Sequence, residues 1–142
     1  MTLQPQGETP MHEINLRTTR HSEMIDITDR VRKILRETGL QAGLCIVYVP
    51  HTTAGVTINE NADPDVPADI LSSLNRIVPL DNAYRHREGN AAAHVKSTLV
   101  GVSQTLPVED GDLVLGTWQA LFFCEFDGPR NRKILVKFLK ED

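Results

Sequence analysis

Helical periodicity falls in the middle of this chain and strand-forming patterns hold both ends. A doubly wound parallel sheet needs strands and helices in regular alternation, so this order favours an α+β architecture with antiparallel pairing. A length of 142 residues suits one domain with a single core. We place that domain at 11–142, behind a polar tail at 1–10.

From Met11 to Thr19, MHEINLRTT puts Ile14 and Leu16 on one face, as a half-buried strand requires. A short second strand is expected at Met24 to Ile27. Thr28 is then a plausible N-cap for a helix carrying Val31, Ile34 and Leu35 at helical spacing, with Gly39 placed to stop it. Two apolar strands, Gly43 to Val49 and Gly55 to Glu60, flank the polar loop PHTTA. A second helix is expected from the cap Asp63 through Pro64, Val66, Ile70 and Leu74 to about Arg76. A third runs from Asn90 to Val100, favoured by three alanines and ended by Gly101. EDGD at 109–112 reads as a hairpin turn, and two further strands lie in TWQALFFCEF and RKILVKFL.

Composition removes several functional classes. No apolar run approaches the roughly 20 residues needed to span a bilayer, and the formal charge of −4 comes without a basic, aromatic-interleaved patch. Neither a membrane nor nucleic acid is expected as a partner. MTLQPQGETP lacks the basic and apolar regions of a secretory signal, so a cytoplasmic protein is expected. Cys45 and Cys124 lie in apolar strand runs with no C-x-x-C neighbour and read as buried thiols. His12 and His21 read as ordinary surface residues. P-loop, Rossmann and nucleophile-elbow motifs are missing.

Polar chemistry collects in three places. In HTTAGVTINENADPD, Asx turns and a helix cap account for Asn61 and Asp63. His51, Thr52 and Thr53 instead leave a buried strand on a supported loop open to a ligand. In DNAYRHREGNAAAHVK, His86, Glu88, Gly89 and Asn90 precede a helix whose first turns carry His94. Its unpaired N–H groups and positive dipole end could take a phosphate or carboxylate. His86 and His94 could also share a metal, with Glu88 or His51 as a third ligand, although their spacing matches no strong metal motif. In LGTWQALFFCEFDGPRNRK, alternation puts Gln119, Leu121, Phe123, Glu125 and Asp127 on one face and Trp118, Phe122, Cys124 and Phe126 on the other. A carboxylate among apolar residues needs a partner, and Arg130 and Arg132 are the candidates. Those arginines serve as internal partners of Glu125, as a fork for a substrate phosphate, or as both.

The blocks PHTTAGVTINENADPDV, DNAYRHREGNAAAHVKS and LGTWQALFFCEFDGPRNRKI, in this order and at these separations, resemble the signature blocks of the YjbQ-like family over about residues 12–140. The resemblance implies an α+β, β-sandwich-like fold and a homotrimer with sites near subunit boundaries. It also implies a secondary thiamine-phosphate synthase activity, which joins a pyrimidine diphosphate to a thiazole phosphate and releases pyrophosphate. The dedicated enzyme for that reaction is a TIM barrel, too large for this chain, so a shared activity would be convergent. Carried over by position, the catalytic candidates are His51, His86, Glu88, His94 and Glu125. The substrate-binding candidates are Thr52, Asn59, Asp81, Gly89, Asn90, Trp118, Gln119, Arg130 and Arg132. A divalent metal, magnesium or zinc, would be held by His86 and His94; no organic cofactor is expected. Two other functions stay open: a metal-dependent hydrolase of a small phosphorylated metabolite, and a non-catalytic trimer that binds one.

Overall fold

The computed structural model of the chain describes residues 10–142. The tail expected at 1–10 therefore lies almost wholly outside the described residues. Eleven elements follow in order: β1 (Met11–Arg17), β2 (Glu23–Asp26), α1 (Thr28–Thr38), β3 (Gly43–Tyr48), β4 (Ala54–Glu60), α2 (Asp65–Ile77), α3 (Ala91–Val100), β5 (Ser103–Glu109), β6 (Asp112–Leu113), β7 (Gln119–Glu125) and β8 (Asn131–Lys140). They form a five-stranded sheet, β1-β8-β3-β5-β6, and a three-stranded sheet, β2-β7-β4. Every pairing is antiparallel. The described residues are thus α+β with three helices.

The main core lies between the sheets. Cys45, Val47, Leu106, Ile134 and Val136 of the larger sheet meet Val56, Leu121 and Phe123 of the smaller one, and Val31 and Leu35 of α1 join them. The outer face of the small sheet would otherwise expose Ala120, Phe122 and Cys124. Together with Phe126 these form a second cluster with Ala93, Val100, Leu71 and Leu74, so α2 and α3 supply a third layer. The alternation read along β7 therefore holds, with each of its two faces feeding a different core. Cys45 and Cys124 belong to different clusters, and burial pushes each thiol up to about 12. They pack as small hydrophobes.

The stops are where the glycines put them. Gly39 takes a left-handed φ of 70° after α1 and returns its N–H to the Arg36 carbonyl. At the β5–β6 hairpin, Asp110 (φ 51°) and Gly111 (φ 74°) both lie in the left-handed region, as a two-residue type I′ turn needs. The starts differ from expectation. Thr28 does not cap α1; its hydroxyl accepts the Leu121 N–H at 2.9 Å, tying the helix to β7, while Asp26 accepts the Thr28 N–H. The helix begins after Ile27 with no side-chain cap. α2 begins at Asp65, two residues late, because Asp63 turns its carboxylate onto the Asp65 N–H as an Asx turn. β1 ends at Arg17, since Thr18 leaves the ladder to serve the site described below. Among the described residues no helix is long and apolar enough to cross a membrane.

Candidate functional site

The loop Pro50–Thr53 carries the chain from β3 in the large sheet to β4 in the small one, and it lands beside the end of β7 and the start of β8. At this corner Glu125 is wholly buried. Arg132 grips it side-on, Nε to Oε1 at 2.9 Å and Nη2 to Oε2 at 2.5 Å. The Thr18 hydroxyl donates to Oε1 at 2.7 Å, and the Phe126 and Asp127 amides donate to Oε2 at 3.0 Å. Burial pushes the Glu125 carboxyl up, but the Arg132 bond and the other donors outweigh it and hold the group below the usual carboxylate range. Nη2 of Arg132 also donates to the Thr53 hydroxyl and carbonyl, which fixes the 51–53 loop.

This separates the two arginines that the sequence offered to Glu125. Arg132 takes the carboxylate and is buried, so these bonds hold its fork inside the protein. Arg130 pairs with Asp127 at 2.7 Å and remains half exposed. Asp127 also accepts from Asn90 Nδ2 at 2.9 Å, so Arg130, Asp127 and Asn90 run as a thread to the start of α3. Asn90 Oδ1 is buried and has no partner among the described residues. Gly89 reaches a φ of +85° in open space and turns the chain into the helix.

A cleft of about 520 Å³ opens beside this corner. His51 and Thr52 line one side, and His94 and Thr98 of α3 line another, with Tyr48 and Val102 adding apolar surface. The helix is held here by close backbone packing. Ser97 donates to the Ala54 carbonyl at 2.7 Å, and a Cβ on Gly55 would meet the Gly101 carbonyl oxygen at 2.6 Å. His86 packs edge-on against His94, ring centroids 5.2 Å apart, and its Nε2 lies 3.6 Å from Glu88. His51 Nε2 accepts the backbone N–H of Lys133 at 3.0 Å. Its pKa is lowered by partial burial and by the nearby Arg132 charge, which favours the neutral ring.

His51, Thr52, His86, Glu88, Gly89, Asn90, His94, Glu125, Arg130 and Arg132 therefore gather around one corner, Glu125 and Arg132 as its internal support. Asn59, Trp118 and Gln119 do not join them within one chain. The register pairs Ala54 with Glu125, Asn59 with Ala120 and Glu60 with Gln119. Six residue steps along β7 thus separate Gln119 from Glu125, about 20 Å at the usual rise. At that far end Gln119 accepts the Gly116 N–H, Asn59 accepts the Glu60 N–H, and Trp118 stands 62% exposed. Asp81 lies exposed in the α2–α3 connection. Among the described residues no three His, Cys, Asp or Glu side chains converge to hold a metal. Sequence reading missed Thr18, whose hydroxyl completes the Glu125 shell from more than 100 residues away, and Thr98 and Tyr48 of the cleft. Nothing local marks Thr18. Thr98, four residues after His94, was within reach of helical spacing.

The family profile for UPF0047 protein YjbQ-like matches residues 12–141. The chain belongs to the YjbQ-like UPF0047 family. UPF0047 protein YugU of Bacillus subtilis is 53% identical over 127 residues, covering 89% of this chain and 96% of its own. A UPF0047 protein of Methanocaldococcus jannaschii is 46% identical over 129 residues, covering 91% and 94%. A crystal structure of a family protein from Clostridium acetobutylicum superposes with a TM-score of 0.88 at 51% identity, over 89% of this chain and 98% of that one. A YbjQ-like protein from Sulfolobus solfataricus, described as of unknown function, gives 0.90 at 36% identity over 94% and 99%.

Proposed function

We propose that this YjbQ-like protein binds a small phosphorylated metabolite in the His51–His94 cleft and acts on it as a transferase of the thiamine-phosphate synthase type. In that reaction a pyrimidine diphosphate condenses with a thiazole phosphate and pyrophosphate leaves. The observation that carries the reading is the position of His94. It stands in the first turns of α3, faces a cleft also lined by His51 and Thr52, and has His86 packed against it.

Negative charge gathers on the departing phosphate oxygens, so fixed donors stabilise the transition state more than the ground state. The opening amides of α3 and the half-exposed Arg130 are the available donors, joined through Asn90 and Asp127. Arg132 has no direct role in this scheme; with Glu125 it holds the 51–53 loop in place. Tyr48 and Val102 give a heterocycle an apolar wall. His94 serves as the proton donor or acceptor.

A divalent metal enters only as a second reading, favoured by the 5.2 Å approach of His86 and His94. Two imidazoles fall short of the three protein ligands of a catalytic zinc site, so no step is routed through a metal.

A homotrimer would account for two other features. Val95 and Leu99 lie four apart on α3 and are 41% and 59% exposed, an apolar stripe suited to a second copy. A cyclic trimer joins two different surfaces of each subunit. The far end carrying Asn59, Trp118 and Gln119 could then meet a neighbour's corner.

The test is to incubate the purified protein with both thiamine precursors and follow thiamine phosphate and pyrophosphate together. Equal amounts of both products from the wild type, and a loss of at least a hundredfold in His94→Ala, support the reading. Binding without product would leave a metabolite-binding trimer, and pyrophosphate or phosphate released without thiamine phosphate would make it a hydrolase.

A further inference from the structure

A backbone amide can only donate, so the 3.0 Å contact from Lys133 N–H to His51 Nε2 fixes the tautomer. Nε2 must present its lone pair, and in the neutral ring the proton then sits on Nδ1. Burial and the Arg132 charge both oppose a second proton on the ring. No protein acceptor among the described residues takes the Nδ1–H, while His51 lines the cleft.

We infer that His51 is a fixed hydrogen-bond donor that presents Nδ1–H to an anionic phosphate oxygen of the bound metabolite. The inference rests on the phosphate reading of the cleft and changes the role of this residue within it. A base or metal ligand needs a free lone pair on the nitrogen facing the ligand. Freeing Nδ1 would move the proton to Nε2, directly against the Lys133 N–H. Neither role is therefore open to His51 while the Lys133 contact stands. No proton moves during binding, and the donor is set before the ligand arrives, with its orientation fixed by the β8 backbone. The Arg132 guanidinium, held by Glu125 and Thr53, opposes a positive charge on the ring, an effect that the Glu125 carboxylate partly offsets.

Two substitutions separate donation from support. His51→Asn puts an amide N–H near the Nδ1 position and gives up the Lys133 contact. His51→Gln puts an amide oxygen near the Nε2 position, keeps that contact and offers no donor at Nδ1. Inorganic pyrophosphate is the probe. Losing a hydrogen bond to a charged group weakens binding about ten- to a hundredfold. His51→Gln should show that loss, and His51→Asn should stay within about fivefold of wild type. The reverse order would make His51 a purely structural residue and overturn the proposal. Long-range nitrogen–proton spectra of the wild-type imidazoles test it without any variant. A protonated Nδ1 on His51 at neutral pH, shifting on pyrophosphate addition, supports it. A protonated Nε2 overturns it. A shift of His94 alone overturns this role and leaves the phosphate reading standing, whereas no shift of either ring overturns both.

Discussion

Arg132 and Glu125 meet in the interior through two parallel hydrogen bonds of 2.9 and 2.5 Å, and the same guanidinium reaches Thr53. One ion pair thus fastens the start of β8, the end of β7 and the loop that carries His51. Its worth lies in geometry more than in net stability, because both charges give up their hydration to form it. Removing one partner is different, since it leaves the other charge buried and unpaired.

Arg132→Met should therefore destabilise the fold by about 3–5 kcal/mol, and a paired Glu125→Gln, Arg132→Met variant should recover part of that loss. Urea denaturation of the two variants and the wild type checks this. A loss below 1 kcal/mol on the single substitution would contradict it.

The pair also sets an acid limit. Glu125 is held below its ordinary value of 4.5, so its contribution is fully present above that value and is lost as pH falls through the lower folded one. Melting temperature measured downward from pH 5 should fall less steeply in Glu125→Gln than in wild type. Parallel slopes would show that Glu125 does not drive the acid transition.

Lys96 presents the opposite sign. Only 3% of it is exposed, among the described residues its ammonium donates one hydrogen bond, to Asn75 at 2.5 Å, and burial lowers its pKa. A lysine depressed in the folded state costs stability at neutral pH, and the cost fades as pH rises towards the unfolded value of 10.5. Lys96→Met should raise the melting temperature at pH 7, by an amount that shrinks with rising pH. A lower melting temperature at pH 7 would mean that the ammonium has a compensating partner.

Gly55 tests how α3 is placed. An alanine there would drive its Cβ against the Gly101 carbonyl, and backbone cannot swing aside as a side-chain tip can. Gly55→Ala should cost about 1–3 kcal/mol and weaken ligand binding in the cleft. Chemical denaturation and pyrophosphate titration read the two effects, and an unchanged affinity would detach the cleft from this contact.

The sequence carried the elements further than it carried their meeting points. Gly39, Gly101 and the Asp110–Gly111 turn mark their stops by backbone chemistry that any context preserves, and the period-two pattern from Gln119 to Asp127 sorted both faces of β7. Thr28 was a plausible cap on local grounds, but the Leu121 amide of β7 claims its hydroxyl, a partner 93 residues away. The choice between Arg130 and Arg132 was likewise hidden. Both follow the same turn, and only the pleat of β8 sends Arg132 inward beside Thr53. Within one chain, strand length holds Asn59, Trp118 and Gln119 at the opposite end of the small sheet from His51, a separation that motif blocks do not display.

The most direct test of the account is calorimetric titration of the pyrimidine diphosphate into wild type and His94→Ala. The account predicts saturable binding to the wild type, weakened at least tenfold in the variant while its melting temperature stays near wild type. No saturable binding to the wild type, or equal affinity in both proteins, would contradict a phosphate-handling site at the His51–His94 cleft.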